Sequence, residues 1–277
     1  MNKVVHGKNS ANFVLIESTF GPCVLNRGAI AAFVEVKARK PSNEAGDTQS
    51  DSTKRAKSLR LMFVTAHLAA HVKNSEARDS DFWRISSELE AQLPERFLPL
   101  SRDTALVGLP SGSDLFDSMD RVFFCGDLNY RLDLPRELTE NVVHRISELD
   151  VSADPHSIAA SDKMRVELLR HDQLIRTMAE RRAFPGFAEG KITFAPTFKF
   201  DKSTGDYDTS HKQRIPAWTD RILFKPIGTR VLEYASVASA QHSDHRPVFG
   251  TFRVSMRGRE LQQKKARKRA KRRLDYE

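Results

Sequence analysis

The stretch Arg121–Tyr130, RVFFCGDLNY, constrains the fold of this chain more than any other. Val122-Phe123-Phe124-Cys125 is a continuous apolar run, which reads as a strand buried on both faces. Gly126 breaks it, and Asp127 and Asn129 follow at once. A carboxylate and a carboxamide at the end of a buried strand lie where α/β folds place their active sites. Asp127 can orient or deprotonate a water there, and Asn129 can donate to a phosphate oxygen. Both residues also favour Asx turns for local reasons, so a plain turn is the competing reading.

Other elements follow from pattern. Asn12–Ser18 and Ala29–Lys37 read as strands around turn signals at Phe20-Gly21-Pro22 and Asn26-Arg27-Gly28. Residues 39–58 are polar and read as a disordered insertion at a hairpin tip. Leu59–Ala66 returns as a strand and delivers His67-Leu68-Ala69-Ala70-His71 at its end. Two histidines at i and i+4 are a weak metal signal without a neighbouring Glu; a satisfied core histidine is the commoner outcome. Asn74–Leu93 reads as an amphipathic helix capped by Asn74 or Ser75, and Pro94–Met119 as a second, loop-rich insertion. Helices are expected over Leu134–Leu149, with Pro135 in the first turn, and over Ser161–Arg182, capped by Ser161. In the second helix Met164, Leu168, Leu174, Ile175 and Met178 face inward. Val231–Ala238 and a buried Val248–Val254 complete the strands.

Two further stretches carry chemistry. Phe194–Lys225 runs from an aromatic segment through a polar loop hinged at Gly205 to Lys212, Arg214, Pro216, Trp218, Asp220 and Arg221. The rigid Pro216 makes this a stiff presenter of fixed charges, suited to an anionic, oxygen-rich substrate. A surface loop anchored by Trp218 is the bland alternative. His242–Pro247 sets a carboxylate beside an imidazole between two strands, as a metal site or as a polar turn.

Composition bounds the rest. The 277 residues, 39% hydrophobic and 29% charged, suit a soluble, globular chain with one large domain and a real core, or with two small domains. The opening MNKVVHGKNSANF lacks the apolar core of a signal peptide, and no apolar run is long enough to span a bilayer. Cys23 and Cys125 read as buried thiols in a reducing compartment. Of the net charge of +9, the segment from Arg257 onward carries ten Lys/Arg against three Asp/Glu. Such a block suits nucleic acid, a nuclear address or anionic lipid, or is a solvated extension with no partner.

Taken together, GDLNYR, PAWTDRIL, HLAAH, SDHRPV and the Asn26-Arg27-Gly28 turn resemble the inositol polyphosphate 5-phosphatases, over roughly residues 15–254. That family shares its fold with deoxyribonuclease I and the abasic-site endonucleases. The resemblance implies a four-layer α/β sandwich: two packed mixed β-sheets flanked by helices, lacking its first strands. It implies a catalytic domain over 1–255, with insertions near 39–58 and 94–119, and a basic tail at 256–277. Asp127 would activate the attacking water and Asn129 would bind the scissile phosphate, which His67 also contacts. His245, oriented by Asp220, would stabilise the developing charge; Asp244 would stand by the metal and serve as its ligand, with magnesium as the cofactor. Lys199, Lys212 and Arg214 would hold the 4-phosphate and Asn26 and Arg27 the 1-phosphate, with Arg131 and Phe198 also on the substrate.

Two departures bear on activity. Phe198 stands where the family usually has Tyr. The family's principal magnesium ligand, a Glu, and the Asn of a Thr-Trp-Asn block belong to earlier strands; neither block occurs before Asn12, and Glu17 is not in that context. The expected function is magnesium-dependent removal of a 5-phosphate from a phosphoinositide or inositol polyphosphate, impaired in this chain. The alternatives are a non-catalytic phosphoinositide-binding remnant, a longer gene product that supplies the strands, or a nuclease. The 4-phosphate residues disfavour the last, so no nucleic-acid partner is expected. The expected location is cytoplasmic, with peripheral contact to anionic membranes through the tail.

Overall fold

A computed structural model of the chain describes residues 5–6, 11–20, 28–38, 58–92, 113–152, 154–202 and 204–256. Cys23, Asn26, Arg27, most of both expected insertions and the basic tail from Arg257 lie outside the described residues. In chain order the elements are β1 (Val5–His6), β2 (Ala11–Phe20), β3 (Gly28–Ala38), β4 (Ser58–His67), α1 (Ser75–Gln92), α2 (Ser113–Ser118) and β5 (Arg121–Asp127). Then come α3 (Arg136–Ser152), α4 (Pro155–Leu169), α5 (Gln173–Ala179), β6 (Ala188–Glu189), β7 (Asp220–Phe224), β8 (Thr229–Ser236) and β9 (Val248–Val254).

Seven strands form a mixed sheet in the order β1-β2-β3-β4-β5-β7-β6, and β8 pairs with β9 in a second sheet. β4 and β5 are parallel, which requires the long crossover that contains α1 and α2; the other pairings are antiparallel. Alternation along β4 and β5 divides the core. Met62, Val64, Val122 and Phe124 meet Phe82, Ile85 and Leu89 of α1 and Leu115 and Phe116 of α2. Leu59, Leu61 and Phe123, on the opposite face, meet Val231, Phe252 and Val254 of the second sheet. Val143 and Ile146 of α3 and Leu168 of α4 pack with Trp218, Tyr234, Val231 and Val248. The result is the expected four layers: helices, sheet, sheet, helices. Aromatic packing ties the first two together. Phe82 lies 4.2 Å from Phe184 and 5.8 Å from both Phe116 and Phe124. Burying each such ring contributes about 1.5–3 kcal/mol.

Several expectations are corrected. Residues 113–118 are not insertion loop but α2, and Leu115, Phe116 and Met119 are core residues. The Gly- and Pro-rich sequence before them masks a helix too short to show a period. Ser161–Arg182 is not one helix. α4 starts earlier, capped by Asp154, whose carboxylate accepts from the amides of His156 and Ser157. Ser161 lies inside α4, donating to the Ile158 carbonyl at 3.0 Å. The chain breaks before Asp172, which caps α5 by accepting from the Ile175 amide at 2.9 Å, and Ile175 turns outward. Pro135 precedes α3, with its carbonyl accepting from Thr139. β9 alternates between half-buried and exposed rather than being buried throughout, because only one of its faces meets the core. Cys125 is only partly buried, and that burial raises its thiol pKa.

Arg221 departs furthest from expectation. It does not point at a substrate but is fully enclosed, with Nη1 2.9 Å from Asp172 and Nε and Nη2 each 2.6 Å from Glu189. Apolar surroundings make an uncompensated charge there very costly, so β6, β7 and the α4–α5 break are bound to one another. Removing one partner of a buried ion pair costs about 3–5 kcal/mol, and the lower end applies here because Glu189 remains. Asp172→Ala is therefore expected to lower the free energy of unfolding in urea by about 3 kcal/mol; a loss within error of zero would show that Arg221 does not depend on it.

Candidate active site

Strand register builds the site. His67 at the end of β4 pairs with Asp127 at the end of β5, and Asp127 pairs with Asp220 at the start of β7. Directly paired residues share a face of the sheet, so these three side chains stand in one row. Gly126 makes the approach possible: its φ is +126°, and a Cβ there would lie 2.1 Å from the Ala66 carbonyl oxygen.

A second set of backbone bonds brings His245 to the row. Phe198 and Ala217 exchange hydrogen bonds at 3.1 and 2.9 Å, the Phe200 amide donates to Asp244 O at 2.9 Å, and the Arg246 amide donates to Thr197 O at 2.8 Å. The segment 197–200 thus lies between the PAWTDR and SDHR turns. His245 Nδ1 is 2.9 Å from Asp220 Oδ2, which also accepts from the hydroxyls of Thr197 and Thr219, each at 2.9 Å. His245 Nε2 faces Asp127 Oδ2 at 3.9 Å, and His67 Nε2 approaches the same oxygen at 3.4 Å.

Both central groups are perturbed. Burial pushes the Asp127 carboxyl above its ordinary value and the Asp220 charge adds to this, with His245, His67 and Arg131 opposing. For His245, burial pulls downward, but the Asp220 hydrogen bond and the charges of Asp220, Asp127 and Asp244 outweigh it, and the imidazole titrates above its ordinary value. The arrangement offers a carboxylate with raised proton affinity opposite an oriented imidazolium, the pairing needed to deprotonate a nucleophile and stabilise an anionic transition state.

Asn129, expected to meet phosphate directly, is 2% exposed. Its amide donates to Leu68 O at 3.1 Å, and its Oδ1 accepts from Arg131 Nη2. It therefore orients Arg131, whose Nε also bonds to Asn129 O at 3.0 Å and whose guanidinium lies 4.2 Å over the Phe198 ring. Burial pulls Arg131 down to about 10. Phe198 is buried between Arg131 and His245, its ring 4.8 Å from the imidazole. Lys199 and Arg214 are half-buried and Lys212 is exposed, and the Arg214 charge is among those that lower Arg131.

Several residues essential to this geometry carry no sequence pattern. Thr197 and Thr219 fix Asp220, although Thr219 stands beside it in PAWTDR. Arg78 of α1 donates to the carbonyls of Ala69 and His71, and Asp81 accepts from the Ala69 amide, which shapes the turn after His67. Gln173 joins that turn to the Asp127 loop. Its Oε1 accepts from Arg78 and from the Arg131 amide, and its Nε2 donates to Val72 O and Asp133. Only the helix break at Asp172 places Gln173 there.

Asp244, the expected metal ligand, is not joined by further grouped donors among the described residues. Among the described residues no three His, Cys, Asp or Glu side chains are grouped to hold an ion. Asp220 is committed to His245 and two hydroxyls. An octahedral magnesium ion needs more oxygen donors than this arrangement gathers.

The endonuclease/exonuclease/phosphatase family 2 matches residues 45–251. The type II inositol 1,4,5-trisphosphate 5-phosphatase of Mus musculus is 35% identical over 198 residues, covering 71% of this chain and 17% of that protein. The phosphatidylinositol polyphosphate 5-phosphatase type IV of Rattus norvegicus is 36% identical over 182 residues, covering 61% and 26%. The chain thus spans about a quarter or less of the length of these curated relatives. Its homologues are inositol polyphosphate and phosphoinositide 5-phosphatases. Among solved structures, the inositol polyphosphate 5-phosphatase domain of SPsynaptojanin, in complex with inositol (1,4)-bisphosphate and a calcium ion, superposes with a TM-score of 0.55 at 25% identity, covering 97% of this chain and 72% of that one.

His245 supplies the test of the electrostatics. Its imidazole is expected to titrate above 6.5 by NMR, and Asp220→Asn to lower the midpoint. A folded-state value above the unfolded one stabilises the fold fully below the unfolded pKa, and this stabilisation is lost as pH rises through the folded value. A midpoint unmoved by Asp220→Asn would remove Asp220 as the cause.

Proposed function

This chain belongs to the endonuclease/exonuclease/phosphatase family 2, and from that membership we propose that it hydrolyses the 5-phosphate of an inositol polyphosphate or phosphoinositide. The observation that carries the reading is the pairing of Asp127 with an Asp220-oriented His245, beside a loop bearing Lys199, Lys212 and Arg214. The names of the homologues support the substrate class.

In this mechanism Asp127 accepts a proton from the attacking water as its oxygen bonds to phosphorus. His245 donates through Nε2 to a phosphoryl oxygen, offsetting charge as the bond from phosphorus to the ring oxygen breaks. The departing ring oxygen takes a proton from solvent and Asp127 returns its proton to solvent, so the products are inorganic phosphate and an inositol ring hydroxyl. Arg131 adds positive charge around the same phosphoryl group, His67 lies within reach of it, and Asn129 and Phe198 hold Arg131 in place. No covalent enzyme intermediate is needed, since displacement at phosphorus depends on positioning and charge stabilisation. Lys199, Lys212 and Arg214 hold the neighbouring 4-phosphate by charge-assisted bonds.

Magnesium dependence is part of the proposal, though no step above runs through the ion. Metal charge stabilisation is worth several kcal/mol, and each 1.36 kcal/mol is about tenfold in rate. With no ion-holding group among the described residues, this chain is expected to turn over several orders of magnitude more slowly than relatives that hold the ion. Phosphate release from the 4,5-bisphosphate lipid across a magnesium titration tests this, with Asp127→Ala abolishing whatever activity is seen. Full-strength turnover by the isolated chain would overturn the expected impairment. Binding without any turnover would favour a non-catalytic phosphoinositide-binding protein.

A second expectation concerns selectivity. Calorimetry should give tighter binding of headgroups with adjacent 4- and 5-phosphates than of the 5-monophosphate, and Lys212→Ala with Arg214→Ala should abolish the difference. Equal affinities in the unsubstituted chain would remove the 4-phosphate assignment.

A further inference from the structure

We propose that Asp208 is the residue that sets selectivity for the 4-phosphate, by holding Lys199, Lys212 and Arg214 in one loop conformation around its buried carboxylate. The proposal rests on the reading of those three cations given above, and it concerns a residue that makes no contact with the row of His67, Asp127 and Asp220.

Asp208 is fully buried, yet it is connected to each of the three cationic residues. Its amide donates to the Lys199 carbonyl at 2.9 Å. Its Oδ2 accepts from the Arg214 amide at 2.8 Å. Its Oδ1 accepts from the amide and hydroxyl of Ser210, at 3.2 and 2.5 Å, and the Ser210 hydroxyl accepts in turn from the Lys212 amide at 3.3 Å. The carboxylate thereby ties down backbone at Ser210 and Arg214, while the Asp208 amide joins the same residue to Lys199 across a hairpin whose Phe200 and Tyr207 rings stack at 4.4 Å. Such a network removes conformational freedom that would otherwise be lost when ligand binds.

The charge geometry favours a binding role over a purely structural one. The Lys199 ammonium lies 3.7 Å from Asp208 Oδ1. That is close enough for attraction but well beyond the roughly 2.7–2.9 Å of a charge-assisted hydrogen bond. Asp208 therefore holds Lys199 in place without taking up its N–H donors, which an incoming phosphate needs. The carboxylate also offsets the mutual repulsion of Lys199, Arg214 and the nearby Arg131. Burial alone would raise the Asp208 pKa, but the bonds to Ser210, the Arg214 amide and the Lys199 charge outweigh it and keep the group ionised. An apolar residue of similar size would fill the space without performing either task.

The test is binding by the full chain of two soluble headgroups, inositol 1,4,5-trisphosphate and inositol 1,5-bisphosphate, measured by calorimetry. Asp208→Asn keeps the shape, removes the charge and turns an amide group towards the N–H donors. It is expected to reduce the ratio of the two affinities at least tenfold. A general loosening of the fold would weaken both ligands together and leave the ratio in place. Ser210→Ala, which deletes one donor and the link to Lys212, is expected to reduce the ratio in the same direction by a smaller factor, and it serves if Asp208→Asn does not fold. Lys212→Ala with Arg214→Ala is the control. If the control loses selectivity while both other variants keep it, Asp208 has no part in selectivity and the proposal is overturned, with the 4-phosphate reading intact. If the control also keeps full selectivity, the 4-phosphate reading has failed and the proposal falls with it.

Discussion

The site depends first on the pairing register of three adjacent strands. A slip of one residue anywhere in β4, β5 or β7 would send His67, Asp127 or Asp220 to the opposite face of the sheet. The register is held by burial on both sides. Met62, Val64, Val122 and Phe124 must meet the helices, while Leu61 and Phe123 must meet the second sheet. Any slip would exchange these sets and leave large apolar side chains mismatched on both faces. Gly126 completes the constraint, because only a residue without a Cβ tolerates the Ala66 carbonyl where Asp127 draws level with His67. Core packing and catalytic geometry are therefore one specification, written in the same strands.

A buried polar layer behind the row turns this alignment into a rigid site. Arg78, Gln173 and Asp81 fix the turn after His67, and Gln173 reaches across to the Arg131 amide. Asp172, the neighbour of Gln173, pairs with Arg221 just after Asp220. The α4–α5 break thus touches all three strand ends at once, through hydrogen bonds in surroundings where an unmet polar group would cost about 1–3 kcal/mol. Such a layer needs every partner present, so it specifies one arrangement of the loops rather than a family of near-equivalents.

This layer marks where the sequence ceased to be readable. The strands were legible because period-2 alternation and apolar runs report burial directly, and β2, β3, β4 and β5 fall within a residue or two of expectation. The chemistry-bearing residues were legible because Asp127, Asp220 and His245 sit in compact motifs at strand ends. The opposite holds for Asp172 and Gln173. A Leu- and Met-rich stripe runs through them with helical spacing, and nothing local signals that Asp172 leaves the helix to meet an arginine 49 residues on. Arg221 failed for the same reason in reverse: adjacent to functional residues in sequence, it reads as a substrate ligand, yet tertiary contacts enclose it. α2 is a third case, since six residues are too few to display a period before the core claims them.

The electrostatics follow from this division of labour. An anion such as the proposed phosphate ester would meet carboxylates as well as cations at the row, and Asp127 and Asp220 alone would repel it. His245 resolves the conflict: bonded to Asp220 and facing Asp127, it shares the field of both acids and holds its proton more tightly because of them. Arg131 adds a second fixed charge, kept in place by Asn129 and Phe198 rather than by a carboxylate. The cations nearest the row are thus oriented by neutral groups or by one shared acid, which leaves donors turned towards the substrate. Asp208 applies the same device one loop away, where a buried acid sits near a lysine without bonding to it. Asp220 stands behind the His245 imidazole as Asp208 stands beside Lys199, and in both places an acid holds a cation in position without using up all of its donors.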